Sequence, residues 1–209
     1  MLFLFSLAVL NAQDPSRFAD EVAAIEKKYD SVWNPAKETV VFTGSSSIRF
    51  WKDLPDRFPE HQIVNTGFGG SQTSDLLAYS EQLIFRFNPT QVVIYEGDND
   101  LSEAKKPRMV MRDIKKLVRR IKWKNPETGI VLLAAKPSPL RWELRRKYKK
   151  LNCKFRRFCR RDTSMEFADT WSVMMKGDEV REDLFIEDRL HMNSKGYDLW
   201  FGIIKQYIN

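Results

Sequence analysis

Short apolar segments rich in β-branched residues alternate along the chain with longer segments whose apolar residues recur at helical spacing. The short segments predict strands over residues 39–43, 62–66, 91–96, 130–135 and 165–170. The longer segments predict helices near residues 16–30, 73–87, 103–124, 141–161 and 194–207. Strands that alternate with helices form parallel sheets, so the pattern predicts an α/β fold: a three-layer α/β/α sandwich with a five-stranded parallel sheet. Such sheets bind ligands at the carboxyl ends of their strands.

The first ten residues, MLFLFSLAVL, form an apolar run that is too short to cross a bilayer. Small polar residues follow in NAQDPSR, as they do at the cleavage site of a signal peptide. We therefore expect residues 1–13 to be a signal peptide and the protein to be periplasmic or secreted. Because the run lacks a basic start, an apolar N-terminal helix on a cytoplasmic protein is the alternative. With 209 residues, 43% of them hydrophobic, the chain suits one core, which predicts a single domain over residues 14–209.

The formal net charge of +7 suggests a nucleic-acid partner as one hypothesis. Much of the excess lies in RWELRRKYKKLNCKFRRFCRR, where apolar residues recur every three or four positions and basic residues take the other faces. This pattern is typical of a solvated helix face, so we expect no nucleic-acid partner. No segment of the chain approaches the length of a membrane span, so none is expected. Cys153 and Cys159 are about 9 Å apart along that helix, too far for a disulfide with each other. We expect both to be small core residues, with intermolecular pairing as the alternative. The Cys and His spacing matches no zinc site, so no metal is expected.

Unusual loops follow the first three predicted strands: GSSS, then GFGGSQTSD, then GDND. The carboxyl ends of parallel strands share one edge of a sheet, so we expect these loops to lie together. One interpretation of the serines is turn chemistry, because Gly and Ser end strands and cap helices. The other is a nucleophile, which requires a base, an orienting acid and oxyanion donors elsewhere in the chain.

Two histidines are the candidates for that base. His61 precedes the second strand and is therefore expected at the opposite edge of the sheet. His191 lies shortly before the last helix, and Asp188, three residues earlier, falls on the same side of a helical turn. An aspartate in that position can orient the imidazole while the imidazole accepts the serine proton. Taken alone, Asp-x-x-His is a weak signal that also fits a cap or a loop.

Together these motifs resemble those of the SGNH hydrolases, also called GDSL-type lipases and acylhydrolases. The Gly-Asp-Ser turn of that family is matched by GSSS with Ser46 at the nucleophile position, and its glycine motif is matched by Gly70. Residues 97–100 match Gly-x-Asn-Asp in full, and Asp188 and His191 match Asp-x-x-His. The resemblance covers nearly the whole chain after the apolar run.

One position departs from the family, since Ser45 replaces the aspartate that usually precedes the nucleophile. The resemblance gives that aspartate no proton-transfer role. The motif register selects Ser46 over its neighbours, with Ser45 as the second choice.

The resemblance implies a flavodoxin-like fold and a serine esterase that works through an acyl-enzyme without metal or organic cofactor. Ser46 is the implied nucleophile, with His191 as base and Asp188 as its orienting acid. The implied oxyanion donors are the backbone amides of Ser46 and Gly70 and the side-chain amide of Asn99. A non-catalytic carbohydrate- or anion-binding module on the same fold is the alternative.

The loop KPSPLRW after the fourth strand supplies the candidate substrate contacts, namely Lys136, Ser138, Arg141 and Trp142. Arg141 and Trp142 fit equally well as packing residues at the start of the basic helix. Cationic and aromatic side chains suit a sugar, and no long apolar lid is visible in the sequence. We therefore expect a small-molecule or glycan ester, with a short acyl or acetyl group on a polar alcohol.

Overall fold

A computed structural model describes residues 14–208 and confirms the predicted α/β/α sandwich with its five-stranded parallel sheet. The strands lie in the order β2-β1-β3-β4-β5, with bounds β1 Thr39–Gly44, β2 Gln62–Asn65, β3 Gln91–Tyr95, β4 Gly129–Leu133 and β5 Met165–Ala168. All residues of β1 and β3 are buried, as expected for strands that are covered on both faces. The predicted signal peptide, residues 1–13, lies outside the described residues.

Eight α-helices occur within residues 14–208. Their bounds are α1 Ala19–Asp30, α2 Ser46–Arg49, α3 Thr73–Ala78, α4 Ser80–Leu83, α5 Asp98–Ser102, α6 Pro107–Lys124, α7 Arg145–Cys159 and α8 Ser194–Ile204. The apolar sides of α1, α6 and α7 pack on one face of the sheet in a single core cluster. The apolar side of α8 packs on the other face, where Trp51 and Trp200 are fully buried.

The prediction of one continuous helix over residues 73–87 is wrong. The structure divides it into α3, α4 and a 3-10 turn, with a break at Tyr79. At the break, the hydroxyl of Ser80 donates to the carbonyl of Leu77 at 3.0 Å. A local side-chain bond of this kind competes with the helical hydrogen-bond pattern, which gives a physical reason for the interruption.

Two other long helices begin later than predicted. α6 begins at Pro107 rather than residue 103, because proline has a fixed φ and no amide hydrogen and therefore suits the first helical turn. α7 begins at Arg145 rather than residue 141, since Trp142–Leu144 form a 3-10 turn. A small antiparallel hairpin, β6 Met175–Lys176 and β7 Glu179–Val180, was not predicted, because strands of two residues leave no periodic pattern.

The two cysteines differ in burial. Cys159 is buried as expected, whereas Cys153 is exposed, which corrects the prediction that both are core residues. They form no disulfide with each other, in agreement with their spacing along α7. None of the helices formed by residues 14–208 is long and apolar enough to cross a membrane.

Candidate active site

The turn between β1 and α2 presents one of the three consecutive serines. Gly44 ends β1 with φ +127°, and a Cβ there would lie 1.9 Å from the carbonyl oxygen of Tyr95, so this turn requires glycine. The amide of Ser45 donates to the same carbonyl at 3.1 Å. Ser45 and Ser47 are each only 2% exposed, while Ser46, the first residue of α2, is partly exposed. The structure therefore places the hydroxyl of Ser46 at the surface of the site.

His191 lies between Ser46 and Asp188. Its Nε2 is 2.9 Å from Oγ of Ser46, and its Nδ1 is 2.5 Å from Oδ2 of Asp188. With Nδ1 protonated and donating to the carboxylate, Nε2 is free to accept the serine proton. The structure thus brings together three of the residues selected from the sequence.

Asp188 organises the turn that carries His191. Its Oδ1 accepts from the amides of Leu190 and His191 at 2.9 and 2.8 Å. Partial burial alone would raise the pKa of Asp188, but these amides and the imidazole of His191 outweigh it and lower the pKa below its usual value. The carboxylate therefore stays ionised throughout the neutral range.

The segment around His191 is also fixed to the rest of the fold. The ammonium of Lys136 donates to the carbonyl of Leu190 at 2.7 Å, and the amide of Ile186 donates to the carbonyl of His191 at 2.9 Å. The ring of Phe50 meets the imidazole edge to face, with centroids 4.8 Å apart. These contacts restrict the imidazole to a position beside α2.

The loop after β2 contacts the first loop and supplies an amide without a partner. A Cβ on Gly67 would lie 2.3 Å from the amide nitrogen of Arg49, so this loop packs directly on α2. The amide of Gly69 donates to Glu21 at 3.0 Å. By contrast, the amides of Ser46 and Gly70 donate no hydrogen bond to any residue within 14–208, and Gly70 is exposed with φ +74°.

Asn99, on α5, is held by contacts at both ends of its side-chain amide. Its Nδ2 donates to the carbonyl of Ser71 at 2.8 Å, and its Oδ1 accepts from Nη1 of Arg141 at 3.1 Å. An asparagine amide has two hydrogens, so one N–H is left for another acceptor. Since Ser71 follows Gly70 directly, this bond joins the second loop to the third.

Asp100 braces the same pair of loops. Its Oδ2 accepts from the amide and hydroxyl of Thr73 at 2.9 and 3.1 Å, and its Oδ1 accepts from the ammonium of Lys105 at 3.1 Å. Asp100 therefore joins the second loop to the third, as Asn99 does.

Two acidic residues of this region were not singled out in the sequence as parts of the site. Glu96 is 1% exposed, and its Oε1 accepts from the hydroxyl of Ser71 at 2.7 Å. Its Oε2 has no hydrogen-bond partner among the described residues. Burial, together with the charge of Asp100, raises the pKa of Glu96 well above its usual value and favours the protonated carboxyl.

The other is Asp98, which lies among the cations of Lys136 and Arg141 and the phenols of Tyr95 and Tyr148. Burial alone would raise the pKa of Asp98, but the charges of Lys136 and Arg141 and the hydrogen bond from Tyr148 outweigh it, and the pKa is about 2. Asp98 occupies the variable position of Gly-x-Asn-Asp, so the motif carries no signal for it. A buried acid beside two basic residues of a distant loop becomes visible only in three dimensions.

The candidate substrate contacts fall into two groups. Lys136 and Ser138 are 1% and 2% exposed, which corrects the expectation that they contact substrate, because the loop turns both side chains into the core. Arg141 is partly exposed and contacts Asp98 and Asn99. Trp142 begins the turn before α7 and stacks on Trp171, with ring centroids 6.3 Å apart, while remaining partly exposed.

His61 lies just before β2, at the opposite edge of the sheet as expected. Within residues 14–208, no group of three or more His, Cys, Asp or Glu side chains is arranged as a metal site.

Comparison with known proteins agrees with this fold. A GDSL-like lipase from Bacteroides thetaiotaomicron superposes with a TM-score of 0.75 at 22% identity, over 93% of this chain and 96% of that one. A lipase/acylhydrolase from Enterococcus faecalis gives a TM-score of 0.69 at 19% identity, over 82% and 95%. A variant of an acetyl-xylooligosaccharide esterase from Geobacillus Stearmophilus gives 0.67 at 19% identity, over 81% and 94%. No curated protein sequence matches the chain.

The five-stranded sheet carries the candidate catalytic residues at the carboxyl ends of its strands, and the compared structures share this α/β/α fold. The model of the GDSL-like lipase/acylhydrolase family matches residues 33–199, and the chain belongs to that family. It is therefore an enzyme that hydrolyses ester bonds.

Proposed function

We propose that this enzyme is a serine esterase that forms an acyl-enzyme on Ser46. The observation that carries the proposal is the series of hydrogen bonds from Asp188 through His191 to Ser46. A serine nucleophile needs a base within hydrogen-bond reach and a third group that orients the base, and this series meets both requirements.

In the proposed reaction, Oγ of Ser46 attacks the ester carbonyl while Nε2 of His191 accepts the hydroxyl proton. The tetrahedral intermediate collapses when the carbon–oxygen bond to the alcohol breaks, and His191 returns the proton to the departing alcohol oxygen. A water molecule then gives a proton to His191 and attacks the acyl-enzyme. The bond between the acyl carbon and Oγ of Ser46 breaks, His191 returns the proton to Oγ, and the carboxylic acid leaves. Asp188 remains ionised and stabilises the imidazolium at each stage.

Three N–H groups are proposed to bind the negative charge that develops on the carbonyl oxygen. Two are the unpartnered backbone amides of Ser46 and Gly70, and the third is the remaining N–H of Asn99. Because their positions are fixed before the reaction, they need no reorganisation when the charge appears.

The proposed substrate is a short acyl or acetyl group on a polar alcohol such as a carbohydrate. Phe50, 39% exposed and in contact with His191, provides a small apolar surface that suits a short acyl group. The partly exposed indole of Trp142 is our candidate for contact with a sugar ring. The similarity to an enzyme named for acetyl-xylooligosaccharides supports the carbohydrate choice.

The test is a substrate panel measured on wild-type protein and on Ser46→Ala. Acetylated oligosaccharides are compared with chromogenic esters of increasing acyl length, and kcat/KM is determined for each. We expect kcat/KM to be highest for acetyl or other short acyl groups and to be lost in Ser46→Ala. A preference for long-chain esters would reject the proposed substrate, and retained activity in Ser46→Ala would reject the proposed nucleophile.

A further inference from the structure

The carboxylate of Asp98 is surrounded by donors from three parts of the chain: the end of β3, the loop after β4, and α7. Its Oδ1 accepts from Nη1 of Arg141 and from the hydroxyl of Tyr148, both at 2.5 Å. Its Oδ2 accepts from the hydroxyl of Tyr95 at 3.0 Å and faces the ammonium of Lys136 at 3.5 Å. Asp98, Tyr95, Tyr148 and Lys136 are each at most 4% exposed. Water is therefore largely excluded, and charge interactions among these groups are strong.

Arg141 links this buried group to Asn99. The same Nη1 that donates to Asp98 also donates to Oδ1 of Asn99 at 3.1 Å. A guanidinium donates only, so its bond fixes which end of the Asn99 amide is oxygen and which is nitrogen. With Nδ2 already bound to Ser71, the second N–H of Asn99 has one defined direction.

We propose that Arg141 is a positioning residue for ester hydrolysis: anchored by Asp98, it orients and polarises the side-chain amide of Asn99. This role rests on the proposed function, in which Asn99 donates to the oxyanion. The substrate contact expected from the sequence is the alternative role for Arg141, and the test below distinguishes the two.

Two physical effects support this role. A charge-assisted bond to the carbonyl of an amide draws electron density from its nitrogen, which makes the remaining N–H a stronger donor. In addition, Asp98, Lys136 and Arg141 together carry a net charge of +1 in a region of low dielectric, which favours an anion forming next to Asn99. Both effects are larger in the transition state than in the bound ester, so they act on kcat more than on KM.

The test is a double-mutant cycle on kcat and KM with Arg141→Ala, Asn99→Ala and the double variant. We expect Arg141→Ala to lower kcat roughly 10–100-fold, as a misplaced catalytic group does, with KM changed only a few-fold. In the Asn99→Ala background, the same substitution should change kcat less than about twofold, because the two residues act as one unit. Added ethylguanidinium should restore part of kcat in Arg141→Ala but not in the double variant.

Two further variants serve as controls. Arg141→Lys keeps a cation beside Asp98, so it protects folding, yet its shorter side chain leaves the ammonium short of the position of Nη1, which contacts both oxygens. We expect it to show the same loss of kcat and the same non-additivity. Arg146→Ala is the matched control, since it removes an exposed guanidinium of α7 that bonds neither Asp98 nor Asn99. It should keep wild-type kcat.

The other possible results contradict either the positioning role of Arg141 or the proposed function. Additive losses with a raised KM would mean that Arg141 binds substrate. Unchanged kcat per folded molecule in both Arg141 variants, with a lower melting temperature, would mean that it is only structural. Either result overturns the positioning role while Ser46→Ala stays inactive. Activity that survives in Ser46→Ala would instead reject the proposed function, and this role with it.

Discussion

Nε2 of His191 lies 2.9 Å from Oγ of Ser46, although the two residues are 145 positions apart in the chain. The hydroxyl comes from the first turn of α2, and the imidazole comes from the segment before α8. Ser45 and Ser47, on either side of Ser46, are buried, and neither hydroxyl forms a hydrogen bond with the imidazole. This distance selects Ser46, among three consecutive serines, as the candidate nucleophile, and the selection can be tested.

Ser46→Ala should reduce ester hydrolysis to the background rate, because it removes the hydroxyl beside His191 and no core volume. The measurement is kcat on a short-chain chromogenic ester, with circular dichroism to verify the fold. Ser45→Ala is the matched control and should retain most of the activity, since that side chain is buried. An active Ser46→Ala beside an inactive Ser45→Ala would show that the motif register is off by one residue.

Asn99→Ala should lower kcat by roughly 10²–10³-fold with a much smaller change in KM, the loss typical of deleting one oxyanion donor. The variant also loses the bond to Ser71, so thermal melting must be measured on the same preparation. Asn152→Ala, which removes a buried amide bonded to the backbone of Ala135, is a control for loss of stability without loss of a donor. If turnover per folded molecule of Asn99→Ala equals that of wild type, Asn99 has no part in the mechanism.

Glu96→Gln should stabilise the protein at neutral pH. Because the folded-state pKa of Glu96 is raised, its contribution to stability is complete below the unfolded pKa and is lost as pH rises through the folded pKa. Glutamine stays neutral and can still accept the Ser71 hydroxyl bond, so it avoids this loss. Each kcal/mol gained corresponds to a rise of about 2–4 °C in melting temperature.

The comparison for Glu96→Gln is a series of thermal melts between pH 4 and pH 8. The gain over wild type should be largest at high pH and disappear near pH 4. Glu127→Gln, at an exposed turn, should show no such trend. A melting temperature that is lower than wild type at pH 8 would refute the prediction.

Asp98→Asn should lower the free energy of unfolding at neutral pH, whereas Glu96→Gln should raise it. The pKa of Asp98 is about 2 in the folded protein and about 3.9 in an unfolded chain, so its contribution of about 2–3 kcal/mol is present above pH 4 and lost as pH falls toward 2. Asparagine also leaves Lys136 buried without its counter-ion. Urea unfolding should therefore show lower stability at pH 7 and a weaker pH dependence between pH 2 and 4. The control is Asp178→Asn, on the exposed hairpin turn, which should behave like wild type. If Asp98→Asn loses stability between pH 4 and 2 as steeply as wild type does, other groups cause that loss.

The sheet was predictable because buried parallel strands leave continuous β-branched runs, and the predicted strands agree with the observed bounds to within about two residues. Helix interruptions were not predictable in the same way. The break at Tyr79 depends on a hydroxyl that bonds a local carbonyl, and hydrophobic periodicity contains no information about that choice.

The candidate nucleophile, base and acid were predictable because fixed loops demand particular residue types at particular spacings. Their surroundings were not, since Lys136 and Arg141 look alike in the sequence as cations of one loop. Only the fold shows that Lys136 is buried and bonded to the carbonyl of Leu190, whereas Arg141 bridges Asp98 and Asn99. Glu96 was missed for a related reason, because a carboxyl at the end of a strand reveals its burial only when the loops around it are in place.

The anchoring of His191 also affects how the enzyme assembles. Lys136 belongs to the loop after β4, so the carbonyl of Leu190 gains its ammonium donor only after the C-terminal part of the chain has docked on a nearly complete sheet. Contacts between residues so far apart in the chain form slowly, because a long loop must close before any of them is made. During refolding, the return of ester hydrolysis is therefore expected to lag behind the return of secondary structure. The rate at which enzymatic turnover returns then measures the rate of the final docking step.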